Sequence, residues 1–174
     1  LFNFEVEEPD PLVTTEITEN ILCNGAASGS IQLISEGGTG DYLYSWSNGD
    51  TLSELNGLTA GIYSVTIADE NQCVATDSFI LFEPEALELT VLEVQDASCH
   101  NAEDGQAEVS PEGGVGDYTV EWSNGKTGPE LQNLAAGLYT ASVTDGNQCV
   151  QSIEVTIEAP EAISLELTAQ EHVV

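Results

Sequence analysis

DYLYSWSNGDTLSELNGLTAGIYSVTIADENQC, residues 41–73, returns at residues 117–149 as DYTVEWSNGKTGPELQNLAAGLYTASVTDGNQC. Trp46 and Trp122, Cys23 and Cys99, Cys73 and Cys149, and Pro84 and Pro160 all stand 76 positions apart. The chain is therefore a tandem of one small module, and this self-similarity overrides total length as a guide to the number of domains.

Comparing the copies decides which face of each segment is inward. Tyr42, Tyr44 and Trp46 share one face and Leu43 and Ser45 the other; the copy has Tyr118, Val120 and Trp122 against Thr119 and Glu121. A carboxylate such as Glu121 does not belong in a core, so Trp46 and Trp122 are expected to be core anchors. Each is followed by Asn-Gly (Asn48-Gly49, Asn124-Gly125), a strong hairpin signal. Leu55 and Leu58, with Leu131 and Leu134, put paired apolar side chains in a connection too short for a helix, where they are expected to plug one end of the module. After Gly61, the inward set is Tyr63, Val65 and Ile67, matched by Tyr139, Ala141 and Val143. A Tyr just after Leu-x-Ala-Gly resembles the tyrosine corner of immunoglobulin-like sandwiches, so Tyr63 and Tyr139 join the expected core. In the final strand Asp77 falls where Ile153 sits, which calls for either a bulge or an exposed segment.

Working outward, Leu12 to Ile17 reads as a first strand, repeated by Leu87, Leu89 and Val91, and Ile31 and Leu33 alternate with polar residues as Ala107 and Val109 do in the copy. Phe2, Phe4 and Val6 run into Glu8-Pro9 in the way that Phe79 and Leu81 run into Glu83-Pro84 and Val155 and Ile157 into Ala159-Pro160. Residues 1–10 are thus expected to be the last strand of a preceding repeat, 11–84 and 85–160 two full repeats, and 161–174 the first strand of a following one. The natural protein is expected to continue in both directions. With six or seven short strands per repeat and no helical periodicity, the expected fold is all-β: tandem immunoglobulin-like β-sandwiches.

A single Lys or Arg stands against 31 Asp and Glu, giving a formal charge of −30. Such a surface repels nucleic-acid phosphate and anionic lipid, excludes a nucleic-acid partner, and attracts divalent cations or basic partners. No long apolar run suggests a membrane span.

The four cysteines fall two per repeat with the same 50-position separation, 23 to 73 and 99 to 149. Of three connectivities, Cys23 with Cys73 and Cys99 with Cys149 respect the repeat symmetry, so one intra-repeat disulfide per module is expected. Closing a loop of that size would contribute about 4 kcal/mol on the chain-entropy model, a large gain for a module with a thin core. No CxxC spacing is present, and His100 and His172 are not repeated, which does not suit a zinc site. The cysteines point to an oxidising, extracellular compartment.

The series Cys, Gly-Gly turn, Tyr-x-x-x-Trp-Ser-Asn-Gly, Leu-x-Ala-Gly-x-Tyr and Asp-x-Asn-x-Cys resembles the SprB-type repeat of giant surface adhesins in gliding Bacteroidetes, across residues 23–82 and 99–158. The resemblance implies an extracellular module strung in many copies along a filamentous adhesin, exported by type IX secretion, displayed on the bacterial cell surface and moved along it during gliding. Its partners would be neighbouring repeats of the same chain and a surface polysaccharide or other extracellular ligand. The chain departs from the family pattern at Asp41 and Asp117, where such repeats carry Pro, and at Gln72 and Gln148, where they carry Gly. That Gly would suit a turn of positive φ.

No nucleophile with a base, and no paired carboxylates in a pocket, can be assembled from these letters, so catalysis is not expected and no catalytic residue is named. Asp69 with Asn71 and Asp145 with Asn147 form Asp-x-Asn turns, whose oxygens are the ligand type calcium prefers. They are the only cofactor candidates, weighed against the tendency of Asp and Asn in turns to bond their own backbone. A carbohydrate-binding or calcium-dependent ligand-binding β-sandwich module is the alternative function, although inward tryptophans would not present a stacking platform for a sugar.

Overall fold

Six short strands occur in each copy and in the same order. The computed structural model describes residues 8–166. The first six strands are β1 (Val13–Glu19), β2 (Gly29–Glu36), β3 (Leu43–Trp46), β4 (Glu54–Leu58), β5 (Gly61–Ala68) and β6 (Val74–Leu81). The second six are β7 (Glu88–Gln95), β8 (Gly105–Glu112), β9 (Thr119–Trp122), β10 (Glu130–Leu134), β11 (Gly137–Thr144) and β12 (Val150–Ile157). The described residues contain no helix. Two compact units result: one runs to Ala86 and includes Gly113–Val115, and the other comprises Leu87–Glu112 and the chain from Gly116. Most of the strand expected at 1–10 lies outside the described residues, as does the end of the strand expected at 161–174; residues 161–166 carry no strand assignment.

Within each unit all pairings are antiparallel. The first has sheets β1-β2-β4 and β3-β5-β6, and the second β7-β8-β10 and β9-β11-β12. Taken in order as strands A, B, C, E, F and G, these are the ABE and CFG sheets of an immunoglobulin-like sandwich. The tryptophan sits on strand C and the corner tyrosine opens strand F, the places that fold gives them. The Tyr63 hydroxyl donates to the carbonyl of Thr59 at 3.0 Å, and Tyr139 repeats the bond to Ala135 at 3.0 Å.

The core of the first unit is Ile31 and Leu33 from β2, Trp46, Leu55 and Leu58, Val65 and Ile67 from β5, and Phe79 and Leu81 from β6. Full burial of each such side chain is worth about 1.5–3 kcal/mol, and the second unit repeats the set with Ala107, Val109, Trp122, Leu131, Leu134, Ala141, Val143, Val155 and Ile157. Each indole is buried with its N–H satisfied, Trp46 donating to the Leu52 carbonyl at 2.8 Å and Trp122 to that of Gly128 at 2.9 Å. After each tryptophan the chain turns tightly: the Gly49 amide donates to the Trp46 carbonyl and the Trp46 amide to that of Asp50, both at 3.0 Å. Gly49 takes φ +91°. The returning segment does not stay beside β3; it crosses to the other sheet as β4.

Leu55 and Leu58 belong to that strand, not to a plug at the end of the sandwich. Gly29 pairs with Leu58 and Ser30 with Asn56, which leaves Gly57 as an extra, bulged residue at φ +68°. The bulge returns two side chains three positions apart to one face, and both leucines are buried. Asn133, at φ +58°, does the same between Leu131 and Leu134.

The last strand of the first unit pairs without a register shift, so no bulge surrounds Asp77. It stands opposite buried Val65, yet it is exposed because β6 is an edge strand and water reaches its outer side. Ile153 opposite Ala141 is partly buried at the same place.

Candidate functional site

The repeated Asp-x-Asn-x-Cys turn follows β5 and brings the calcium candidates of the first unit into one loop. Asp69 opens it by donating its amide to the Cys73 carbonyl at 3.0 Å and accepting the Gln72 amide on its own carbonyl at 3.0 Å. Its carboxylate is turned inward and is only 1 % exposed. Oδ1 accepts the Cys73 amide at 2.8 Å and Oδ2 accepts the Thr39 amide at 2.9 Å, so one side chain fastens the β5–β6 turn to the β2–β3 loop. Gly38 makes room for it, since a Cβ there would lie 2.9 Å from Oδ2. Burial pushes the Asp69 pKa up, but hydrogen bonds from Cys73, Thr39 and Asn71 outweigh it and hold the carboxyl below its usual value of 3.8.

Asn71 is exposed at the tip of the turn. In the second unit Asp145 Oδ1 accepts the amides of Asn147 and Cys149, both at 2.9 Å, and Asp145 is 2 % exposed. Both acids thus bind backbone N–H groups of their own turn, and Asp69 also binds one from the β2–β3 loop. Among the described residues no cluster of three or more His, Cys, Asp or Glu is placed to hold a metal. Gln72 and Gln148 both take φ +65°, so the turn keeps the left-handed conformation although Gly is missing from it.

The cysteines mark the two ends of each sandwich. In the first unit the incoming chain lies at the Asp69 end: the Gly38 amide donates to the Asp10 carbonyl at 2.7 Å, next to the Thr39 amide held by Asp69. Cys73 lies at this end, just before β6 begins. Cys23 lies at the other end, where the chain leaves. Its turn is tied to the outgoing segment by three bonds: Ile21 amide to Phe82 carbonyl at 3.0 Å, Gly25 amide to Glu83 Oε2 at 2.7 Å, and Asn24 Nδ2 to the Pro84 carbonyl at 3.0 Å. The second unit matches. Ala97, beside Cys99, donates to the Glu158 carbonyl at 2.9 Å beyond the end of β12, whereas Cys149 immediately precedes that strand.

This placement overturns the expected intra-repeat disulfides. Cys23 and Cys73 are separated by the whole of β6, roughly 25–30 Å at about 3.3 Å per residue, whereas a disulfide requires Cα atoms about 4.4–6.8 Å apart. The same holds for Cys99 and Cys149 across β12. Cys73 and Cys99 are free and exposed, and the disulfide-bonded cysteines are Cys23 and Cys149.

The family model described as SprB repeat matches residues 15–51 and 91–127. No curated protein matches in sequence. The chain is similar to a crystal structure of the N-terminal eight Ig domains of Down Syndrome Cell Adhesion Molecule, with TM-score 0.44 and 13 % identity over 88 % of this chain and 25 % of that one. It is similar to the DIP-gamma IG1+IG2 structure, with TM-score 0.40 and 11 % identity over 88 % of this chain and 99 % of that one. It is also similar to domains 4-9 of the surface layer protein SbsC, with TM-score 0.36 and 15 % identity over 91 % of this chain and 32 % of that one. The two family matches begin 76 positions apart, at residues 15 and 91, and so fall at the same place in each unit: each unit carries one match to the SprB repeat.

Proposed function

We propose that this chain is a non-catalytic structural segment of a long extracellular adhesin, in which SprB repeats add length between the cell and a distal contact. The observation that carries the reading is what the repeated letters do. Trp46, Tyr63, Leu55, Leu58, Asp69 and their copies all build the sandwich, as core side chains or as the acid that fastens the turn. Selection for a ligand site would be expected to repeat a surface constellation; what is repeated here is a fold.

Three further features fit. The connection from β6 to β7 is only residues 82–87 and contains Pro84, which restricts the backbone. A disulfide between some of the cysteines belongs to an oxidising compartment such as the cell surface. The −30 charge keeps neighbouring acidic chains soluble and apart. In this reading the parent protein reaches the outside by type IX secretion and serves adhesion and gliding, and the repeats hold its grip on polysaccharide or other ligands away from the cell.

Single-molecule pulling of the chain under reducing conditions tests the mechanical role. Two discrete unfolding events of similar size are expected, each releasing about 25 nm for some 76 residues. Extension without discrete events would overturn the spacer reading. Saturable quenching of tryptophan fluorescence by added polysaccharide would favour a carbohydrate-binding module instead.

A further inference from the structure

β1 and β7 are the same strand of the repeat, yet their edges are guarded differently. In β7 a bulge at Leu92 separates Val91, paired with Val109, from Glu93, paired with Glu108. Glu16 holds the equivalent place in β1, 76 positions earlier, and there the pairing with β2 runs from Val13 to Glu19 with no bulge. This difference of one residue flips the first half of the strand. Leu89 is buried, whereas Val13, its sequence equivalent, stands opposite exposed Glu36 and is 54 % exposed. Ile17, 52 % exposed, shares that outer face, and Ile34 lies beside them on β2, 47 % exposed and opposite Thr15.

Among the described residues β1 pairs on one side only, so alternate N–H and C=O groups along its other side point away from the sheet. Val13, Thr14, Thr15, Ile17 and Thr18 are β-branched, the composition that favours extended pairing. A bulge turns away any incoming strand, but a charge turns away only strands of its own sign. The guard on β1 is charge: Glu16 stands on the core side opposite buried Leu33, and Glu19 stands on the outer side opposite Ser30. The only Lys or Arg of the chain, Lys126, is taken up by the Gln132 carbonyl. A cation for these two acids must therefore come from another molecule, and a second copy of this acidic chain is repelled.

We propose that β1 is a docking edge for an extended basic segment of another protein, which joins the sheet as a fourth strand. Its main chain bonds to the open side of β1, and its Lys or Arg side chains lie opposite Glu16 and Glu19. Its apolar side chains extend the outer patch of Val13, Ile17 and Ile34. The reading holds whether or not the repeats serve as an adhesin spacer, since it rests on this strand alone.

Read antiparallel from Glu19 back to Val13, a complementary strand is Lys-Thr-Val-Lys-Thr-Thr-Val. The test titrates this peptide, fluorescently labelled, into the whole chain at about 0.15 M salt, where charges beyond about 8 Å are screened. Saturable binding is expected, with hydrogen exchange slowed at the amides of β1 and not at those of β7. Two further peptides, N-methylated at odd or at even residues, keep the charge but remove the donors from one side of the strand. One of them should bind like the parent and the other at least tenfold more weakly. The double exchange Glu16→Lys with Glu19→Lys, at two exposed positions, should weaken the basic peptide at least tenfold and transfer binding to Glu-Thr-Val-Glu-Thr-Thr-Val, although the chain as a whole stays strongly acidic. No binding of the parent peptide would overturn the proposal. Equal binding of both methylated peptides, or slowed exchange spread over both units, would show attraction to the overall charge and overturn it as well. So would an exchanged chain that keeps the wild-type urea midpoint and takes neither peptide.

Discussion

The Asp69 carboxylate accepts the amide of Thr39 at 2.9 Å, across 30 positions of sequence, while its other oxygen accepts the amide of Cys73. The bond joins the β2–β3 loop to the β5–β6 turn, so one acid orders the end of the sandwich where the chain comes in. Its hydrogen bonds favour the charged form over the neutral one.

An acid dependence follows. Burial raises the Asp69 pKa, but the hydrogen bonds from Cys73, Thr39 and Asn71 prevail and the folded value lies below 3.8. A depressed folded pKa means that the stabilisation is fully present above the unfolded value and is lost as pH falls through the folded one. Thermal melts of Asp69→Asn should therefore lie below wild type at neutral pH and converge on it as pH drops below 3.8. A constant gap in melting temperature across that range would show that the charge contributes nothing.

Gln72 and Gln148 occupy φ +65° without being glycine. A left-handed conformation costs an L-residue roughly 1–2 kcal/mol, partly offset by the extra freedom Gly has when unfolded. Gln72→Gly should therefore stabilise the first unit by about 0.5–1 kcal/mol, and Gln72→Val should destabilise it. Urea midpoints compared at constant slope measure both. A Gly variant with a lower midpoint would mean that the Gln side chain holds the turn in some other way.

Asp77 faces the same side as buried Val65 but sits on the open edge. A charge pointing inward on an edge strand discourages pairing with other strands. It forgoes the apolar contact that Ile153 makes in the second unit. Asp77→Ile should raise the stability of the first unit by about 1 kcal/mol and increase its tendency to associate. Light scattering alongside urea unfolding would register both effects; a variant that is no more stable would place Asp77 in solvent entirely.

The sandwich was legible because the second copy acts as a control on the first. Glu121 at the place of Ser45 in the second copy settles the face of Trp46, and Leu-x-Ala-Gly before Tyr63 settles the corner. What escaped were features that local periodicity does not encode. Leu55 and Leu58 read as something other than a strand because Gly57 is a bulge, and a bulge breaks the alternation on which strand recognition depends. The carboxylate of Asp69 was recognised as part of a turn, but its partner Thr39 is supplied by tertiary structure. The cysteine pairing failed because repeat symmetry and spacing in sequence say nothing of distance in space: the whole of β6 lies between Cys23 and Cys73.

Two glycines of the first unit should respond to the same substitution for different reasons. Gly57 sits at φ +68° with open space where a Cβ would be, its nearest neighbour being the Ala27 carbonyl at 3.9 Å. Gly57→Ala should therefore cost about 1 kcal/mol through backbone strain alone. At Gly29 no positive φ arises, but a Cβ would lie 2.8 Å from Leu81 Cδ1 and 3.0 Å from the Leu58 carbonyl. Gly29→Ala should cost about 1–3 kcal/mol through overpacking, because a filled core has no slack to receive a methyl group. Shortening the neighbour separates the two mechanisms. In a double-mutant cycle with Leu81→Val, the Gly29→Ala penalty should shrink, giving a coupling of at least about 0.5 kcal/mol, whereas the Gly57→Ala penalty should add without coupling. Equal coupling at both glycines would mean that the bulge is held by core packing and not by the freedom of its backbone.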